Sequence, residues 1–139
     1  MLATHPYQSA ADMPPETPDP GGRYAKHYLT HLPMVRAVME RHGDGAKRIW
    51  FTEFGWSSHG NSADEPPPTR GVSEQVQADY LVRTLTFVQE RYPYVEVAFW
   101  YNDHNRTGGA SQHVRNYGLL GSDLSPKPAY AAVKTYLGG

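Results

Sequence analysis

The chain has 139 residues, the length of one domain, with 39% hydrophobic and 19% charged residues and a mean hydropathy of −0.64. A formal charge of −1 gives no basic field for a nucleic-acid backbone, and no apolar run approaches the ~18 residues of a membrane span. The absence of cysteine excludes disulfides and thiolate metal sites but does not fix a compartment.

In chain order, Leu2-Ala3-Thr4 reads as a short strand ending at His5. Residues 8 to 23 are rich in Pro, Asp and Gly and read as a loop. A helical pattern runs from about Tyr24 to His42, with Tyr28, Leu32, Val35, Val38 and Met39 at spacings of three and four. Pro33 lacks a backbone donor, so it predicts either a kink or a late start to this helix. Residues 48 to 53 form the next strand, whose apolar run ends in one carboxylate, Glu53, followed by Phe54-Gly55-Trp56. A long loop from 57 to 72 carries Pro66-Pro67-Pro68. Ser73 is placed to cap a helix reaching about Arg91, with Glu74 at the positive end of its dipole. Tyr94 to Tyr101 is a strongly strand-forming run ending in Asn102-Asp103. A third long loop reaches about Ser125, and a last helix lies near Pro126 to Leu137, with proline in its opening turn where it is tolerated.

Strand and helix alternate three times, which predicts an α/β fold with a parallel sheet. The loops after the strands are long and carry polar and aromatic side chains, whereas the helix-to-strand loop at 42 to 47 is short. That asymmetry is expected of a (β/α) barrel, whose functional groups sit at the C-terminal ends of its strands.

These pieces resemble the C-terminal part of the clan-A glycoside hydrolases, of the family 39 or family 5 type. His5-x-Tyr7 resembles the end of the sixth barrel strand, Thr52-Glu53-Phe54-Gly55-Trp56 the seventh, and Phe99-Trp100-Tyr101 the eighth. Tyr117-Gly118-Leu119-Leu120, followed by Ser125-Pro126-Lys127-Pro128-Ala129-Tyr130, resembles the closing segment before the last helix. The resemblance implies a partial TIM (β/α)8 barrel, equivalent to strands six to eight, with residues 1–139 as the C-terminal fragment of a catalytic domain. It implies a retaining mechanism on β-linked glycans with Glu53 as nucleophile. The substrate contacts it implies are His5 and Tyr7 as donors, Trp100 as a stacking floor, and Trp56, Asn102, Asp103 and His104 at the rim. No cofactor and no catalytic metal are implied. The expected partners are a carbohydrate substrate and the remaining part of the barrel, with neither nucleic acid nor membrane.

One element of the resembled pattern is missing. Retaining glycosidases need two carboxyls about 5–5.5 Å apart, and the acid/base Glu of this clan usually follows Asn on the fourth strand. No Asn-Glu pair occurs in the chain. The expectation is therefore a truncated product or part of a longer frame, inactive alone. The alternative is a non-catalytic carbohydrate-binding or assembly piece. Intact relatives are often secreted, yet no export signal is read here.

Other motifs are weaker. A lesser alternative is a serine esterase using Ser57, but Gly55-Trp56-Ser57-Ser58-His59 falls short of a nucleophile elbow because His59 stands where glycine is required. His27 and His31 stand four apart without the HExxH context of a zinc helix. Asp103-x-Asn105-x-Thr107-Gly108 opens like a calcium loop, but its twelfth position is Val114.

Overall fold

The computed structural model describes residues 1–20, 27–109 and 111–138. Three strands, β1 (Leu2–Thr4), β2 (Ile49–Phe54) and β3 (Val95–Trp100), form a parallel sheet in the order β1-β2-β3. Between and after them come α1 (Leu32–Arg41), α2 (Glu74–Arg91), a short α3 (Gln112–Arg115) and α4 (Pro128–Tyr136). The mixed α/β fold with a parallel sheet expected from the strand–helix alternation is therefore present, as a small three-stranded unit.

The local chemistry explains the helix boundaries. Tyr28 is extended and Leu29–His31 makes a single 3-10 turn, so α1 begins only at Leu32 with Pro33 in its first turn. Of the two outcomes that Pro33 predicts, the late start is the one observed, because a proline there forfeits no helical hydrogen bond. The first part of the expected helix, Tyr24 to Lys26, lies outside the described residues. The Ser73 hydroxyl accepts from the Val76 amide at 3.1 Å and caps α2 as its position predicts. Ser111 caps α3 in the same way, at 3.3 Å from Val114.

The core lies on one face of the sheet. Ile49, Phe51 and Phe54 of β2 are buried together with Leu32 and Met39 of α1, Ala78, Leu81 and Val88 of α2, and Ala129 of α4. Phe51 and Phe54 are three residues apart, an odd spacing that would place them on opposite faces of a regular strand. They share a face because the pairing shifts: Phe51 pairs with Ala98 and Phe54 with Trp100, three steps on β2 against two on β3. This bulge restores both rings to the core, edge-on at 6.3 Å, and turns Glu53 to the opposite side.

The opposite face is open. Trp50 and Phe99 meet edge-on at 6.4 Å there, with Phe99 51% exposed and the Trp50 indole donating to Glu96 at 2.8 Å. β1 and β3 are both edge strands. Replacing Phe51 by Ala is expected to cost ~3–5 kcal/mol of stability. Phe99→Ala should cost much less, because its ring already faces solvent. Urea unfolding of the two variants, compared at equal m-value, measures the contrast.

Candidate functional site

Parallel pairing brings the C-terminal ends of β1 and β2 to the same edge of the sheet, since Thr4 pairs with Phe51. The chain leaving β1 therefore carries His5 and Tyr7 alongside Glu53. The Tyr7 hydroxyl donates to Glu53 Oε2 at 3.1 Å, and His5 Nδ1 lies 3.7 Å from the same oxygen. The side chains of His5 and Glu53 are 51% and 41% exposed, so this contact is worth at most ~1 kcal/mol. The Tyr7 bond is the stronger anchor. Burial pushes the Tyr7 phenol far above its ordinary range and the Glu53 carboxylate adds to the shift, so Tyr7 remains a hydroxyl donor at any physiological pH.

The other predicted residues fall into two groups. Trp100 is half-buried: its ring meets Phe54 edge-on at 5.3 Å and stacks on Trp56 at 6.4 Å, and its indole donates to the Tyr117 carbonyl at 2.9 Å. Trp56, expected at the rim, is only 4% exposed and belongs to the core. Its indole donates to the Met13 carbonyl at 2.9 Å and its ring abuts Tyr80, so it supports the site from beneath. Asp103 is exposed and accepts from the His104 backbone amide at 2.9 Å, which with the His104 ring holds its carboxyl below the usual range. Asn102 is half-buried, and its Oδ1 is buried without a protein partner among the described residues. Ser57 is fully buried and its hydroxyl donates to the His113 carbonyl at 2.6 Å, so it offers no accessible nucleophile. His31 pairs with Asp19 at 2.7 Å from a 3-10 turn, so the helical spacing to His27 does not apply.

The sequence reading gave no site role to several residues that surround Tyr7. The Tyr117 ring meets Tyr7 at 6.0 Å and Tyr101 at 5.5 Å, and its hydroxyl lies 2.7 Å from His113 Nε2. Burial pushes the His113 imidazole down and the Tyr117 phenol up. Tyr7, Gln8, Gly55, Trp56, His113 and Tyr117 line a cavity of about 220 Å³ next to the carboxylate's partner. Gly55 is required here, because a β-carbon would stand 2.7 Å from the Tyr101 carbonyl oxygen. Tyr101 and Tyr117 lie sixteen positions apart, both outside the regular elements, a separation that carries no periodic signal.

Lys127 ties the loops together. It is 4% exposed, and its ammonium donates to Ser58 Oγ at 2.7 Å and to the Gly118 carbonyl at 2.8 Å. Burial pushes its pKa from 10.5 down to about 8, with the Glu74 carboxylate opposing. In the unfolded chain the amine regains its ordinary value, so between these two limits the unfolded state binds more protons. Stability therefore rises with pH across that window and falls as pH drops through about 8. Wild-type chain should show a urea midpoint that increases from pH 8 to pH 9, below the range in which the unfolded chain's tyrosines ionise. Lys127→Met should lose that slope while being less stable at every pH, because Gly118 and Ser58 lose their donor.

No protein-family model matches the chain, and no curated protein matches it significantly. Solved structures do match. A family 39 glycoside hydrolase from the gut symbiont Bacteroides cellulosilyticus WH2 is 28% identical, with a TM-score of 0.66 over 94% of this chain and 26% of that one. A GH2 β-galacturonidase from Eisenbergiella tayi is 20% identical, with a TM-score of 0.56 over 76% of this chain and 19% of its own. A β-glucuronidase from Bifidobacterium dentium is 22% identical, with a TM-score of 0.53 over 77% of this chain and 17% of its own. The last two likenesses speak to fold alone. The chain spans about a quarter or less of the structures it matches. The fold is thus similar to that of part of a glycoside hydrolase.

Proposed function

We propose that residues 1–139 form the nucleophile-bearing, C-terminal portion of a (β/α)8 glycoside hydrolase, equivalent to its last three strand–helix units, and that Glu53 is the nucleophile of a retaining mechanism. The observation that carries this reading is the carboxylate at the end of β2, turned away from the core by a bulge and held by the Tyr7 hydroxyl at 3.1 Å. A retaining nucleophile attacks the anomeric carbon through a fixed carboxylate oxygen, and the Tyr7 hydroxyl holds one oxygen of Glu53 in place. The open sheet face with Trp50 and Phe99, and the two unpaired edges, support a need for further strands. We take the remaining barrel to be the partner that covers them and to supply the general acid, since the chain has no Asn-Glu pair.

In this reading the substrate is a β-linked carbohydrate. Glu53 attacks the anomeric carbon, and the glycosidic C–O bond breaks as the leaving oxygen takes a proton from the carboxylic acid of the companion portion. Water, deprotonated by the same group, then releases the sugar from Glu53. His5 and Tyr7 hold Glu53 or a ring hydroxyl, Trp100 gives an apolar surface, and Asn102 and Asp103 stand on the adjoining loop. No cofactor takes part in these steps.

The test removes the need for the absent acid. A 2-deoxy-2-fluoro-β-glycoside with a dinitrophenolate leaving group departs without protonation, so Glu53 can be glycosylated without a partner carboxyl. Mass spectrometry should find one added fluorosugar, mapped to Glu53 and absent in Glu53→Gln. Tyr7→Phe should slow its appearance roughly 10²-fold, the usual scale for losing one preorganised donor. A chain that binds glycans, seen by chemical-shift changes, yet never forms the adduct would favour the non-catalytic binding piece instead.

A further inference from the structure

The cavity beside Tyr7 has a chemistry that the nucleophile at Glu53 leaves unused. Segments following all three strands build it: Tyr7, Gln8 and Ala11 after β1, Trp56 and Pro68 after β2, His113 and Tyr117 after β3. The Ala11 amide donates to the Pro67 carbonyl at 2.8 Å and Arg70 stands 3.7 Å from Asp12, so the proline turn is pinned to the first segment. Gln8, Trp56 and Tyr117 are at most 8% exposed and form the inner wall, whereas Pro68 is exposed at the rim.

Each polar side chain on that wall already has a protein partner. The Tyr7 hydroxyl donates to Glu53, and the Trp56 indole to the Met13 carbonyl. Gln8 Nε2 donates to the Pro14 carbonyl at 2.7 Å while its Oε1 accepts from the Leu29 amide at 3.3 Å. The His113 ring is bonded to the Tyr117 hydroxyl and to the Thr69 backbone, and burial disfavours its charged form. What these residues leave for a ligand is the surface of three aromatic rings, a proline ring and the Ala11 methyl. A sugar ring placed there would give up water at its hydroxyls for groups already engaged. An aromatic ring gives up nothing of that kind and gains ring-on-ring contact. Space suffices: the volume of about 220 Å³ exceeds the roughly 150 Å³ in which an apolar cavity takes up benzene. Tyr7 is common to both places, with its hydroxyl on Glu53 and its ring in the cavity wall, so a group held there lies directly beside the carboxylate.

We propose that this cavity seats the aromatic aglycone of the substrate, which makes aryl β-glycosides the substrate class of the site. The assignment to an aglycone rests on Glu53 being the nucleophile; the affinity for an aromatic ring rests on the cavity alone.

Titration of the full chain, followed by 19F NMR, should show saturable binding of 4-fluorophenol and of 4-fluorophenyl β-glucoside, millimolar or tighter as fits such small ligands. Methyl β-glucoside should bind at least tenfold more weakly. Nuclear Overhauser contacts from the bound ring should reach the Tyr7, Trp56 and Tyr117 rings of the wild-type chain, a readout that needs no variant to fold. Ala11→Phe fills the space and should weaken binding at least tenfold. Tyr117→Phe keeps the ring and should change binding less than about twofold. No saturable binding, equal binding of methyl β-glucoside, or contacts to other aromatic residues overturns the proposal. Tighter binding of methyl β-glucoside carrying a 4-fluorobenzoyl ester at O6 overturns the aglycone in favour of an aromatic ester on the sugar. The two readings fail separately. Ring binding without any fluorosugar adduct sinks the nucleophile, and an adduct without ring binding sinks only the aglycone site.

Discussion

The burial of both Phe51 and Phe54 on the helix side of β2 is the constraint from which the site follows. Burying each ring is worth ~1.5–3 kcal/mol, more than the ~0.5–1.5 kcal/mol of a ladder hydrogen bond disturbed by a bulge. The strand therefore bulges, and the residue immediately before Phe54 must point the other way. That residue is Glu53. The same packing that makes the core thus delivers a carboxylate to the open face, beside the Tyr7 hydroxyl.

The surrounding loops hold that geometry by hydrogen bonds more than by regular structure. Gln77 on α2 is fully buried and donates to the Trp56 carbonyl at 2.7 Å, fixing the turn just after Gly55. Trp100 reaches across to the Tyr117 carbonyl, and Lys127 to Gly118 and Ser58. Gly118 allows this closeness, because a β-carbon there would stand 2.3 Å from the Asn105 amide nitrogen. The loops after β2 and β3 therefore behave as one packed layer above the sheet edge. Aromatic contacts from Tyr101 through Tyr117 to Tyr7 connect that layer to the carboxylate.

The arrangement is also visibly one-sided. The helix face of the sheet is filled, while Trp50 and Phe99 on the other face meet solvent. In the proposed function this is the interior face of a barrel, where side chains from further strands pack in layers. Trp56 and Trp100 show how the same residue type divides between roles. Trp56 is taken wholly into the core, whereas Trp100 keeps part of its ring accessible near the strand end.

The sequence by itself determined the three strands, the main helices that follow them and the position of Glu53 at a strand end, but not the short α3, which it read as loop. The strand and helix patterns, the Ser73 cap and the apolar run that places Glu53 where its strand ends were legible because periodicity and capping are local properties of the chain. It could not determine that Trp56 would be buried, because an aromatic after a glycine reads alike at a rim or in a core. Nor could it show that Tyr117 packs on Tyr7 or that Lys127 reaches Ser58, partners that lie many residues away along the chain. Those placements were decided by tertiary structure alone: parallel pairing and loop packing set which distant side chains share a neighbourhood, and no local spacing encodes that.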